Sequence, residues 1–391
     1  MTISQKYMIR AGIMVSMLIM LPNLKGQDIT VSMNTYAGNT DNLFESNSIE
    51  SQSYINGSLS IGYQLSDYTR VNGTIYRSEI LTNSDYSMGN FQVGIQFRNL
   101  DIKKQQWYGG FSLSTNFYSP VYDYYESSTF SGYGDFKYYY SKQGFVNFGY
   151  NFKGKSFVDV PQASNSEHIL YAIINKSFST GTGLNITGRF GAQDFWAPPV
   201  VMSRGRYNVV QSTYEELLSN YLAGAEVRLS QSIHPRIGIM VLGKMQYRLN
   251  RDTDIFSILD GLTNPFVDYY RWDGSSLYAK ITTRLPANII MRFSSSIGVK
   301  YYLDVPIYEY DFEENTYVLD ENDEYIIQSI DRSDEQVNYQ VQLSKDWYLK
   351  RISGLDTIGT TLTIGWKENQ SDDPLYDYAG SMVNFGVNIT Y

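Results

Sequence analysis

Alternation of apolar and polar residues runs through nearly the whole chain and restricts its fold more than any other feature. At the C-terminal end Val383, Phe385, Val387, Ile389 and Tyr391 alternate with Asn384, Gly386, Asn388 and Thr390. Successive side chains of a strand point to opposite faces, so these five residues share one apolar face. The pattern recurs in Ile55, Leu59, Ile61 and Tyr63, in Phe91, Val93, Ile95 and Phe97, and in Ile289, Met291, Phe293, Ile297, Val299 and Tyr301. With the weaker stretches included, strands are predicted near 28–36, 53–65, 69–80, 86–98, 107–118, 128–140, 144–152, 168–178, 182–192, 219–229, 236–249, 273–285, 289–303, 335–349, 358–368 and 382–391. Each is near or above the roughly 9–11 residues a tilted strand needs to cross the hydrocarbon of a bilayer. No helical repeat interrupts them.

The connections point the same way. Counted back from the C-terminus, the long segments 369–381, 304–334, 250–272, 193–218 and 153–167 alternate with the short 350–357, 286–288, 230–235, 179–181 and 141–143. A transmembrane barrel alternates external loops with short periplasmic turns in this way. The expected fold is therefore all-β: a single antiparallel up-and-down transmembrane barrel of about sixteen strands, with fourteen as the other count the pattern allows. A soluble sandwich also alternates, but it would not set persistently polar faces of Ser, Thr, Asn, Gln, Lys and Arg against large apolar residues on nearly every strand. The mean hydropathy of -0.32 reads as soluble at first sight. It is also the average expected of an apolar lipid face, a polar lumen and charged loops.

Residues 1–26 read as a secretory leader: Lys6 and Arg10 precede the apolar run 11–21, and small Gly26 precedes Gln27. That run is too short to span a bilayer. The barrel is then expected over 27–391.

At this point the chain resembles the outer-membrane β-barrels of Gram-negative bacteria and is porin-like in size, over about residues 28–391. The most specific element is the last strand, where Phe385 and terminal Tyr391 resemble the signal read by the barrel-assembly machinery. The resemblance implies a location in the cell outer membrane, contact with outer-membrane lipid and delivery by that machinery, with no specific family singled out. With the last strand ending on Tyr391 and only a short stretch before strand 1, no C-terminal peptidoglycan-binding domain and no plug domain are expected.

The face opposite the apolar stripe should line an aqueous lumen, since a barrel of about sixteen strands is wide enough to hold one. On this parity Arg98, Lys137, Arg189, Arg228, Lys244, Arg248, Lys280, Arg284, Arg292, Lys300 and Lys367 face inward, against Asp135, Glu226 and Asp346. Rows of Lys and Arg favour anions in a pore. The expected function is passive passage of small polar solutes, anionic or polyhydroxylated, with Tyr76, Tyr108, Tyr133, Tyr139, Tyr278 and Tyr302 available for stacking. The same Arg and Tyr side chains could instead brace the wall. The competing function is a non-conducting barrel, serving as a surface scaffold or as the membrane partner of another exported protein. A homo-oligomer is compatible with either.

Two external loops are unexpectedly apolar, around Phe195 and Trp196 and around Ile255, Phe256 and Leu259. Such residues should fold into the lumen as a constriction or meet a partner. Segment 304–335 is strongly acidic, with one basic residue, Arg332, and reads as a solvated hairpin rather than a calcium site because it lacks calcium-loop spacing. A net charge of -9 argues against nucleic acid. The absence of cysteine excludes disulfides and thiolate metal sites. The two histidines, His168 and His234, are placed at opposite ends of the barrel and cannot share a site. No enzyme, metal or cofactor is expected.

Overall fold

In the computed structural model the described residues are 29–41, 51–83, 87–99, 104–119, 123, 126–159, 161, 164–196, 200–202, 211–213, 219–250, 270, 272–303, 307–311, 313, 316–321, 325–329, 331–348 and 357–390. Sixteen antiparallel strands close into one barrel. They are β1 (Ile29–Thr40), β2 (Gln52–Ser66), β3 (Thr69–Ile80), β4 (Met88–Arg98), β5 (Gln105–Tyr118), β6 (Ser127–Ser141), β7 (Gly144–Phe157) and β8 (Asn165–Ser177). The second half is β9 (Thr182–Phe195), β10 (Ser219–His234), β11 (Ile237–Arg248), β12 (Asp273–Arg284), β13 (Ile290–Tyr302), β14 (Arg332–Tyr348), β15 (Thr357–Ser371) and β16 (Tyr378–Thr390). Each pairs with its sequence neighbours, and β1 closes on β16 with Met33 opposite Ile389. Closure leaves no edge strand, so every strand's backbone groups find partners within the ladder.

All sixteen predicted strands correspond one to one with barrel strands. The main difference is at the end with the long connections: β7, β9 and β15 run several residues beyond their apolar stripes, to Phe157, Phe195 and Ser371, and β14 and β16 begin earlier, at Arg332 and Tyr378, while at the other end β10 runs on to His234. In these extensions the ladder continues through polar residues and glycine, which carry no apolar alternation to read.

The two ends of the barrel differ. At the turn end, where Ile29 and Thr390 lie, connections are as short as Asp67-Tyr68 and Lys142-Gln143. The link between β12 and β13 reverses through Pro286–Asn288, where Ala287 and Asn288 adopt positive φ of 59° and 58°. Gly181, with φ 78°, makes the turn between β8 and β9 without a Cβ penalty. The loop end carries the long connections. One of them continues as a hairpin, with Ile307–Tyr308 paired to Ile327–Ser329 and Tyr310–Asp311 to Thr316–Tyr317.

Most of the barrel has no conventional core. The buried apolar side chains among the described residues are Ile80, Phe157, Phe195, Leu222, Tyr270, Tyr302, Ile307 and Tyr378. All lie at the loop end: the strand residues on the inward face, and Tyr270 and Ile307 in the connections there. The dry packing of this protein is therefore concentrated at one mouth.

Candidate functional site in the barrel lumen

Strand register assigns every wall residue to one of two faces, because residues directly opposite in a ladder share a side. The row Ile174, Ile186, Val227, Gly243, Leu277, Ile297 and Val337 crosses seven strands on the outer face. The adjacent row Arg228, Leu242, Tyr278, Ser296, Asn338, Lys367 and Gly380 faces inward. Outward Leu113, Phe148, Leu170, Ile297 and Phe385 are each more than half exposed. Aromatics flank this belt at both ends: Trp107, Tyr140 and Trp347 toward the turns, Tyr221, Tyr247 and Tyr301 toward the loops. At the turn end Lys345 Nζ stands 3.7 Å from the Trp347 ring centroid. An exposed apolar band between aromatic girdles is the exterior of a barrel that lives in lipid. The chain is a transmembrane β-barrel.

Its lumen is polar and mostly basic. Strand register puts Arg189, Arg228, Lys244, Arg248, Lys280, Arg284, Arg292 and Lys300 on the inward parity. It adds Arg70, Lys153, Lys155 and Arg332, together with Glu167 and Asp334. The cations divide by environment. Arg189 Nη1 donates to Glu226 Oε1 at 3.1 Å, and Lys244 Nζ lies 3.8 Å from the same oxygen. Arg292 donates to Gln342 and to Ser344, each at 3.0 Å. Arg248 is buried, with its guanidinium 3.8 Å from Asp273 and a hydrogen bond to the Leu303 carbonyl at 3.2 Å. These neighbours enclose it, so it does not stand exposed on the wall. By contrast the side chains of Arg228, Lys280 and Arg284 make no hydrogen bond or ion pair with the described residues.

The loop-end mouth is narrowed by packing. Tyr270, in the connection between β11 and β12, passes over two strands and donates its hydroxyl to Glu167 of β8 at 3.3 Å. It lies against Gly191 of β9, where a Cβ would come within 2.8 Å of that hydroxyl. Glycine at 191 therefore makes room for a loop side chain that reaches into the lumen. Ile255, Phe256 and Leu259, expected in the same loop as constriction or partner residues, lie outside the described residues, as does Tyr391. Phe195 and Trp196 are not loop residues of one kind. Phe195 ends β9 with its side chain buried on the inward side, whereas Trp196 continues the outward parity, half exposed, with its ring over Gly154. Alternation at the end of a strand separates two neighbours that the sequence groups together.

A second cluster closes the mouth near β13 to β16. The guanidinium carbon of Arg332 sits 3.9 Å from the ring centroids of both Tyr302 and Tyr376. Its Nε is in ion-pair range of Asp334 Oδ1, at 3.3 Å, and that oxygen accepts a hydrogen bond from the Ser371 hydroxyl at 2.7 Å. Beside it, in the loop, burial raises the Asp373 carboxyl above the usual carboxylate range against the opposing hydrogen bond from the Leu375 N–H.

The histidines lie far apart. His168 is on the outer face near the loop end, 2.7 Å from the Tyr150 hydroxyl, and His234 accepts from the Arg236 N–H in a turn at the other end.

No family model matches the chain, and no curated protein matches it. Among solved structures it is similar to a bacterial polysaccharide outer membrane secretin, at 9% identity over 92% of this chain and 98% of that one, TM-score 0.48. It is also similar to Pseudomonas aeruginosa OccK8 (OprE), at 11% identity, 93% and 98% coverage and TM-score 0.49. Acinetobacter baumannii OccAB3 aligns at 9% identity, 93% and 98% coverage and TM-score 0.48. The architecture of this chain is argued from its own strand ladder and its two faces.

Proposed function

We propose that the chain is a passive channel in the outer membrane of a Gram-negative bacterium, passing small polar solutes and favouring anions. The observation that carries this reading is the group Arg228, Lys280 and Arg284, inward-facing cations on β10 and β12 without partners among the described residues. Charges left unpaired on a lumen wall act on passing ions, whereas cations tied to carboxylates do not. In this reading residues 1–26 are removed on export, the turn end faces the periplasm, and Phe385 with Tyr391 is read by the barrel-assembly machinery.

Liposomes containing the refolded full chain test it. Swelling in small sugars and in sodium salts of small organic acids should be faster than in protein-free vesicles. The packing of Tyr270 across the mouth favours the second reading, a non-conducting barrel that holds a surface partner. Vesicles that fail to swell in any solute would establish that reading over the first.

A further inference from the structure

A cavity of about 450 Å³ runs along the lumen wall from β12 to β16 and reaches β1 and β2, within the range of about 300–1,000 Å³ typical of small-molecule clefts. Short residues hollow it out. Gly365, Gly380, Ser294 and Ser296 line it between the taller Tyr54 and Tyr278. Met382 supplies an apolar floor, for its side chain crosses Gly365 so closely that a Cβ there would stand 2.8 Å from its terminal methyl. Tyr54 is fixed by donating its hydroxyl to the Asn384 side-chain oxygen. Asn338 donates to the Ser296 hydroxyl at 3.2 Å, and its own amide oxygen has no donor among the described residues. The side chains of Tyr278, Ser294 and Gln340 make no hydrogen bond or ion pair with the described residues, although Ser294 is only 7% exposed. Among the described lining residues Lys367 alone is charged, and its ammonium stands 5.4 Å from the Tyr378 ring centroid.

We infer that this cavity is a binding subsite for an uncharged sugar, separate from the basic stripe of the wall. Unpaired hydroxyl and amide groups around an apolar floor match a ligand that presents both hydroxyls and C–H surface. The apolar face of a pyranose fits the Met382 floor and the Tyr278 ring. Its hydroxyls fit Ser294, Gln340 and the amide oxygen of Asn338. A hydrocarbon would leave those polar groups unpaired and without water, which is costly. An anion finds more charge at Arg228, Lys280 and Arg284, none of which lines the cavity. The inference rests on the channel reading, which brings solutes to this wall, and names a class of solute that the basic stripe does not select.

Calorimetric titration of the refolded full chain in detergent decides it, with maltose as the probe and glycerol, which has hydroxyls but no ring, as the control. Maltose should bind about tenfold more tightly than glycerol, the difference expected of one ring stacked on an aromatic side chain. Tyr278→Ala should weaken maltose about tenfold and leave the affinity for glucuronate, a ring that carries a charge, unchanged. Tyr278→Phe keeps the aromatic ring and should lose no more than about threefold. Gln340→Ala should weaken maltose several-fold. Equal binding of glycerol, no binding of maltose, an equal loss for glucuronate in Tyr278→Ala, or unchanged maltose affinity in both alanine variants would each overturn the subsite. A chain that binds maltose but does not conduct overturns the channel and not the subsite; one that conducts without binding maltose overturns the subsite alone.

Discussion

Arg189 and Glu226 form an ion pair across neighbouring strands of the lumen wall, Nη1 to Oε1 at 3.1 Å, and Lys244 shares the same carboxylate oxygen at 3.8 Å. One acid thus masks part of two cations. Glu226→Gln should expose both. A unit charge about 8 Å from a passing ion in water is worth about 0.5 kcal/mol, so the anion-to-cation permeability ratio should rise about twofold. Reversal potentials of variant and wild-type channels read this directly; an unchanged ratio would mean that ions pass along another part of the wall.

The two faces of β13 predict opposite tolerance at adjacent positions. Ile297 points outward and is 55% exposed, whereas Ser296 points inward. Ile297→Arg should lower the free energy of folding into lipid vesicles by about 2–4 kcal/mol, the cost of a cation at the midplane of the lipid face. Ser296→Arg should cost far less. Denaturant titrations of refolding into vesicles compare them, and equal losses would contradict the assignment of faces.

At the mouth, Arg332 is stacked between Tyr302 and Tyr376 and paired with Asp334. Arg332→Ala leaves Asp334 buried without its cation, and removing one partner of such a pair typically costs about 3–5 kcal/mol. Arg332→Lys should recover little, because an ammonium lacks the planar surface that lies between the two rings. The loss should appear as faster protease cleavage in the 304–331 connection while the barrel itself resists. Wild-type cleavage rates in both variants would show that the cluster does not hold the mouth together.

Tyr270 reaches Glu167 across the lumen side of β9 and β10. Tyr270→Ala should raise single-channel conductance by clearing the mouth. Gly191→Val should do the same, because its side chain would occupy the place of the tyrosine hydroxyl. If neither variant changes conductance, the narrowest point lies elsewhere.

The strands were legible because lipid outside and water inside impose alternation on every wall residue. The row from Ile174 to Val337 shows how regular that demand is. Legibility fails where the lipid ends. Lys153, Lys155, Glu167 and Arg332 fall outside the predicted strands because the ladder there has no apolar stripe, although all four face inward. The side a basic residue faces follows from parity, but its partners do not. Arg228 and Arg248 look alike in sequence, yet Arg248 is buried because Asp273 of β12 and Leu303, just after β13, come to it. The reach of Tyr270 to Glu167 joins residues 103 positions apart and has no local signal other than the glycine at 191.

The most direct test of a basic-walled channel is the reversal potential of the refolded full chain in a planar bilayer under a potassium chloride gradient. The account predicts stable conductance with a potential displaced toward that of chloride, and a smaller displacement when Arg228, Lys280 and Arg284 are all replaced by glutamine. A potential displaced toward that of potassium, or a bilayer that stays silent, would contradict it.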